Sequence, residues 1–217
     1  MKTLRRKGLD QETLVVFTSD GGHLWGEHGL IDKRCAYEES IRIPLLAHCP
    51  ALITPGGRCS AVVANIDIAP TFLELAGVTS PAWMDGRSLV NLLQNPSAGD
   101  AHSATLLYEY YWEPSFPQTP TTFALRGSQY KLIQYHGLWD TDELYDVAND
   151  PQETKNLIGQ AAQQDRVAQL RRQLYEQLQA TNGLAIPLGF KRNHGSSQRS
   201  RDGSKRAGFP PSTFQEK

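Results

Sequence analysis

Behind the apolar run TLVVFTS (13–19), the residues DGGHLWGEHGLIDK (20–33) gather an acid, glycines, two histidines and a lysine. A carboxylate at the tip of a strand, beside flexible glycines, suits a hard cation with oxygen ligands, and Asp20 holds that place. The same position also suits an Asx-turn that simply stops the strand. Thirteen residues on, Lys33 offers an ammonium that can stabilise developing negative charge or protonate a leaving oxygen; the plain alternative is a solvated surface lysine. His23 and His28 can act as ligands, as acid–base groups or as hydrogen-bonded loop residues, and their spacing off any helix is no metal signature. Glu38, Glu39 and Arg42 read as an internal ion-pair and hydrogen-bond set that fixes a turn.

Such groups need elements to hold them. TLVVFTS is a continuous apolar, β-branched run, predicted to be a buried, parallel strand, and IRIPLLAH (41–48) has the same character. DIAPTFLELAGV (67–78) predicts a helix that Asp67 caps, Pro70 suits in its first turn and Gly77 ends. GRSLVNLLQ (86–94) predicts a short helical turn with Leu89, Leu92 and Leu93 on one side. From about Ser103 the pattern changes to four short strands, ATLLYEYYW (104–112), TTFALRG (121–127), YKLIQYH (130–136) and DELYDV (142–147). Their closeness predicts antiparallel pairing, with Gly127-Ser128 as a hairpin turn. A helix over 163–181 follows, its Val167, Leu170, Leu174 and Leu178 forming a stripe to pack on the small sheet. LRRKGLDQETLVVF at the start reads as a helix running into a strand, as in the middle of a doubly wound domain. The expected organisation is an α/β portion over 1–100, an antiparallel sheet and helix over 101–182, and a basic tail over 183–217.

The chain has 217 residues, 39% hydrophobic and 21% charged, which fits a soluble globular protein. Its net charge of −1 proposes neither nucleic acid nor an acidic membrane as partner. The tail from Gly189 carries seven Lys/Arg against two acids, making it +5 and the remainder −6. Such a Ser/Gly-punctuated run is the composition of a solvated terminus, with polyanion binding as the rival reading. Three cysteines, Cys35, Cys49 and Cys59, make neither a disulfide framework nor a zinc pattern. No stretch is apolar for the length of a membrane span, and the basic N-terminus has no apolar core behind it.

VVFTSDGGHLWGEHGLIDKRCAYEESIRIPLLAHCP resembles the second half of the type I sulfatase catalytic domain, in the alkaline-phosphatase-like superfamily. The resemblance continues through NIDIAPTFLELAGV, MDGRSLVNLL, YEYYWE and TPTTFALRGSQYKLIQYHGLWDTDELYDVANDPQETKNLI, covering about residues 4–180 in the family's order. It implies an α/β fold: the distal part of the sulfatase domain, then a small antiparallel sheet plus helix. It implies a sulfuric ester hydrolase with one calcium ion and a formylglycine nucleophile made from Cys or Ser, acting on carbohydrate sulfates such as hexosamine-6-sulfates of glycosaminoglycans. Asp20 matches the family's metal-binding aspartate, and Lys33 the lysine that contacts sulfate. Gly21 stands where Asn or His is usual, so a backbone carbonyl, a water or His23 must fill that place, water being preferred by a hard cation. His28 is a further neighbour of metal or sulfate.

The nucleophile motif, Cys or Ser followed by x-Pro-x-Arg, is not among these residues; Ser115-Phe116-Pro117-Gln118-Thr119 lacks its arginine. An upstream chain completing the fold is therefore expected as a partner, and the isolated polypeptide is expected to show little turnover. In the smaller subdomain, Trp139 can stack on a sugar while His136 and Asp140 read hydroxyls; equally, Trp139 is core and Asp140 caps a turn. Arg126 is a substrate candidate or the brace of a carboxylate. Two rivals stand beside the sulfatase: a phosphodiesterase or phosphonate hydrolase of the same superfamily, and a non-catalytic binder of sulfated glycans. Resemblance alone suggests a periplasmic or extracellular location.

Overall fold

The computed structural model describes residues 1–101, 105–138 and 141–186. In chain order these form α1 (Lys2–Lys7), β1 (Val15–Phe17), β2 (Leu24–Trp25), β3 (Ile31–Asp32), α2 (Glu38–Ile41), β4 (Leu46–His48), α3 (Ile68–Leu75) and α4 (Val90–Gln94). Then come β5 (Thr105–Tyr110), β6 (Thr122–Gly127), β7 (Tyr130–Tyr135), β8 (Glu143–Asp146) and α5 (Gln164–Ala180). They divide into two units, one of residues 1–22 and 42–104, the other of 23–41 and 105 onward. Helices and antiparallel sheets are mixed along the chain.

In the first unit β1 pairs with β4, and the pairing is antiparallel (Val15↔His48, Phe17↔Leu46), not parallel as predicted. An apolar run reports burial and says nothing of direction. Parallel neighbours need a crossover over the sheet, whereas this chain leaves β1 and returns at β4 in the opposite sense. Nor is the run uniformly buried: the opposed Phe17 and Leu46 are 62% and 64% exposed, because among the described residues the sheet has only two strands. Pro44 lies ahead of β4, where no ladder bond is lost. An apolar space, lined among others by Val16, Ala47, Ile68, Phe72, Leu89 and Leu93, joins sheet and helices.

Asp67 holds the N-cap position of α3 but makes no side-chain capping hydrogen bond to that helix. It sits in a 3₁₀ turn (Asn65–Asp67) before the helix, its two carboxylate oxygens accepting the backbone N–H of Ala64 and of Arg87, each at 2.8 Å. Thr71 Oγ1 donates to the Asp67 carbonyl (2.6 Å) and accepts from Leu89 N–H (2.8 Å). The 86–90 segment is thus stitched to the start of α3 by two buried side chains. Gly86 is where the backbones meet: a Cβ there would lie 2.1 Å from the Ile66 carbonyl oxygen. Gly77, at φ +71°, ends the helix as predicted.

The second unit is a four-stranded antiparallel meander, β5-β6-β7-β8. Its β6–β7 turn is Ser128–Gln129, one residue later than predicted, since Gly127 still belongs to β6. One face, with Phe123, Leu125, Leu132 and Leu144, takes the Val167, Leu170, Leu174 and Leu178 stripe of α5. The other face, with Ala124, Ile133 and Tyr145, is covered by Leu24, Ala36 and Tyr37. Burial on both faces accounts for the successive apolar residues Phe123-Ala124-Leu125 in β6 and Leu132-Ile133 in β7. The segment 23–41 therefore belongs with this sheet.

Candidate functional site

Asp20 and Gly21 close the first unit's 1–22 segment just past β1, and Asp20 is exposed. Ser19 Oγ donates to the Gly21 carbonyl at 2.8 Å and lies 3.4 Å from Asp20 Oδ1. The carboxylate thus stands at a bend just past the end of β1.

His23, His28 and Lys33 belong to the second unit. They ride on or beside a short ribbon in which β2 pairs with β3 (Leu24↔Asp32, Trp25↔Ile31). Leu24 anchors it in the core, while Trp25 is 80% exposed with the His23 ring 4.5 Å away. The ribbon's tip turns through positive φ at Gly26, His28 and Gly29, and Glu27 secures it by accepting Trp25 N–H at 2.6 Å. His28 stacks flat on Tyr37 (3.8 Å between centroids, 5°), with Nε2 3.5 Å from Glu39 Oε2. His28, Glu39 and Glu153 place donor atoms within 4.8 Å of one another. Of the three, Glu153 is already engaged by Lys131, whose Nζ lies 2.5 Å from its Oε1.

Lys33 is exposed, but its main chain is tied on both sides. Its N–H donates to Asp32 Oδ1 (2.7 Å), and its carbonyl accepts from Ser40 Oγ. Asp32 is paired in turn with Arg34, whose Nε reaches Glu113 Oε1 at 3.2 Å and whose guanidinium lies 3.2 Å above the Phe116 ring.

Arg126 braces a carboxylate: Nε and Nη2 donate to the two oxygens of Glu38, each at 3.3 Å. Lys131, fully buried in β7, adds a third contact to Glu38 at 3.1 Å. Glu38 N–H donates to Glu153 Oε2 at 2.7 Å. Glu38 thus has partners other than the Arg42 foreseen from sequence. The His136 N–H donates to the Thr121 carbonyl (2.8 Å), and burial lowers its imidazole below the usual 6.5, leaving it neutral at pH 7. Trp139 and Asp140 lie outside the described residues.

Sequence reasoning missed Glu143, Glu153 and Lys131. Glu143 accepts from the phenols of Tyr37 (2.9 Å), Tyr135 (2.8 Å) and Tyr145 (2.6 Å), whose pKa values burial and that carboxylate push upward. A signal existed for Lys131 alone: a lysine inside YKLIQY must either reach the strand's edge or be paired.

The buried acids titrate in opposite senses. Burial opposes Glu38's ionisation, but Lys131 and Arg126 outweigh it and hold its pKa below the ordinary 4.5. Burial wins at Glu153 and raises it. Stabilisation from Glu38 is therefore complete above pH 4.5 and lost as pH falls through its depressed folded value. Glu153 takes up its proton in the folded state first, adding stability as pH falls toward 4.5. Urea unfolding should thus show stability level or slightly rising as pH falls to 4.5 and then dropping. In Glu38→Gln the share of that drop due to this residue disappears; an unchanged acid limb would refute the assignment.

The family model for N-sulphoglucosamine sulphohydrolase, C-terminal, matches residues 26–180. An N-acetylglucosamine-6-O-sulfatase of Bacteroides thetaiotaomicron is 37% identical over 174 residues, 80% of this chain and 31% of that protein. A solved structure of a protein in complex with its substrate D-glucosamine-2-N,6-O-disulfate superposes with a TM-score of 0.77 at 35% identity, covering 84% of this chain and 37% of the other. A phosphonate monoester hydrolase from Silicibacter pomeroyi gives a TM-score of 0.71 at 26% identity, covering 84% and 38%. The chain spans about a third of the length of the curated relatives it matches.

Proposed function

This chain belongs to the sulfatase family, matching its C-terminal part, and from that premise we propose that it forms the distal portion of an enzyme that hydrolyses a carbohydrate sulfate ester. The carrying observation is the match over 26–180 together with a relative that cleaves a hexosamine 6-sulfate by its name. The sulfatase reading is favoured over the phosphonate hydrolase because the N-acetylglucosamine-6-O-sulfatase and the disulfate complex match at 37% and 35% identity, the latter with a TM-score of 0.77, against 26% and 0.71 for the phosphonate hydrolase. We assign residues 1–100 to the catalytic domain's distal part, with 23–41 packed on the sheet, and 101–182 to the sheet-and-helix subdomain; at the head of the tail expected over 183–217, Ala185 and Ile186 are buried, Ile186 within that subdomain's core.

In hydrolysis the ester's S–O bond breaks, water supplies the incoming oxygen, and the sugar oxygen leaves with a proton. Lys33 would donate from Nζ to the sulfate or to the leaving oxygen. Family membership implies a metal-dependent enzyme, and calcium is the ion proposed. The donors here suit it in kind: the exposed Asp20 carboxylate and the Gly21 carbonyl are hard oxygens. Calcium takes roughly six to eight oxygens, so an upstream chain would supply most of the shell, along with the nucleophile. Bound there, the ion would neutralise sulfate oxygens. Among the described residues no helix is long and apolar enough to cross a membrane. We place the enzyme in the periplasm or outside the cell.

The test is assembly with an upstream sulfatase portion bearing Cys/Ser-x-Pro-x-Arg, measuring sulfate release from glucosamine 6-sulfate and from a matched phosphonate ester. The assembled enzyme should release sulfate, and the chain alone should not. Lys33→Ala should lower kcat by about 10²–10³-fold. Faster phosphonate cleavage, or full activity without Lys33, would overturn the reading.

A further inference from the structure

Three charged groups, two of them buried, converge on buried Glu38, the first residue of α2, each from a separate part of the second unit. Arg126 comes from β6, Lys131 from β7 and Glu153 from the turn after β8, and all meet Glu38. Lys131 bridges both carboxylates, and its side chain and that of Glu153 are wholly buried. Removing such charges from water is costly, and an apolar substitute of equal volume commonly serves stability as well or better. What a buried ion cluster adds is a single permitted geometry. Here that geometry fixes both the side chain and the backbone N–H of Glu38, and so the orientation of a helix only four residues long. Two residues further on, buried Ser40 hydrogen-bonds back to the carbonyl of Lys33.

We infer that Lys131 and Glu153 are positioning residues for Lys33, acting through Glu38 and Ser40 to set where its ammonium is rooted. The inference rests on the reading that Lys33 meets the sulfate. Lys33 has a long, flexible stem, and a donor on such a stem is productive only when its root is held to a fraction of an ångström. The ribbon secures the other side through Asp32, Arg34 and Glu113. Neither Lys131 nor Glu153 is exposed, so both act by holding and not by contact.

The measurement is the pH profile of amine acetylation at Lys33 in the full chain, read by peptide mass spectrometry against exposed Lys7 of the other unit. Ser40→Ala and Glu153→Gln should each change the Lys33 rate relative to Lys7, or displace its profile, by about threefold or more. Ser40→Thr, which keeps the hydroxyl, should restore it. Ser40→Ala leaves all the charges in place, so it decides the last link even if Glu153→Gln fails to fold. In that event Lys131→Met/Glu153→Met replaces it, removing a cation and an anion together. Lower melting temperatures with an unaltered Lys33 profile would mean a purely structural cluster and overturn the inference. Failure of the sulfatase reading shows elsewhere, as no sulfate release by the assembled wild-type enzyme.

Discussion

Replacing Gly86 with alanine should cost the first unit about 3 kcal/mol, enough to lower its melting temperature by roughly 12–24 °C. The glycine is not needed for an unusual φ. It is needed for space: the added Cβ would lie 2.1 Å from the Ile66 carbonyl oxygen, 2.5 Å from its carbon and 3.0 Å from Asp67 nitrogen. All three are backbone atoms, with no flexible side chain to swing aside. Parting the segments would also stretch the Asp67–Arg87 and Thr71–Leu89 hydrogen bonds, leaving buried groups partly unsatisfied. Urea denaturation followed by tryptophan fluorescence, with Trp83 as the first unit's reporter, measures the loss. A cost under about 0.5 kcal/mol would show that the two segments separate freely and that the close approach confines nothing.

Lys131→Met should be worse for the second unit, at about 3–5 kcal/mol. The substitution fits the site in length and preserves the apolar stem. It strands Glu153, whose side chain is wholly buried, and leaves Glu38 with Arg126 alone. The informative companion is Lys131→Met/Glu153→Met, which removes the cation and the stranded anion together and should recover most of the loss. A single substitution costing under about 1 kcal/mol would mean that Lys131 is not the counter-charge of this cluster. A double variant as unstable as the single one would place the loss in packing.

Much of this was legible because periodicity carries burial. The α5 stripe, the four-stranded meander and the Gly77 stop follow from spacing and residue type alone. The direction of β1 was not legible, since Val15–Phe17 would read the same beside either kind of neighbour. Asp67 looks like a cap, yet one of its oxygens serves Ala64 and the other Arg87, twenty residues away, and local sequence cannot show that second choice. The candidate site divides in the same manner. Arg126 as a carboxylate brace was one of two readings open from its strand position, and the structure supplies Glu38 as the carboxylate. Glu153 was invisible, because a glutamate in a polar turn gives no hint that it points inward at φ +51°.

The grouping of residues 23–41 with the C-terminal sheet bears on how members of this family can be recombined. A swap at residue 104 looks natural from the chain order, exchanging the sheet and helix as a module. It would set one protein's Leu24, Ala36 and Tyr37 on another's Ala124, Ile133 and Tyr145, and one protein's Glu38 against another's Arg126 and Lys131. The inheritable module is two-part, and the segment that carries Lys33 has to travel with the sheet that backs it.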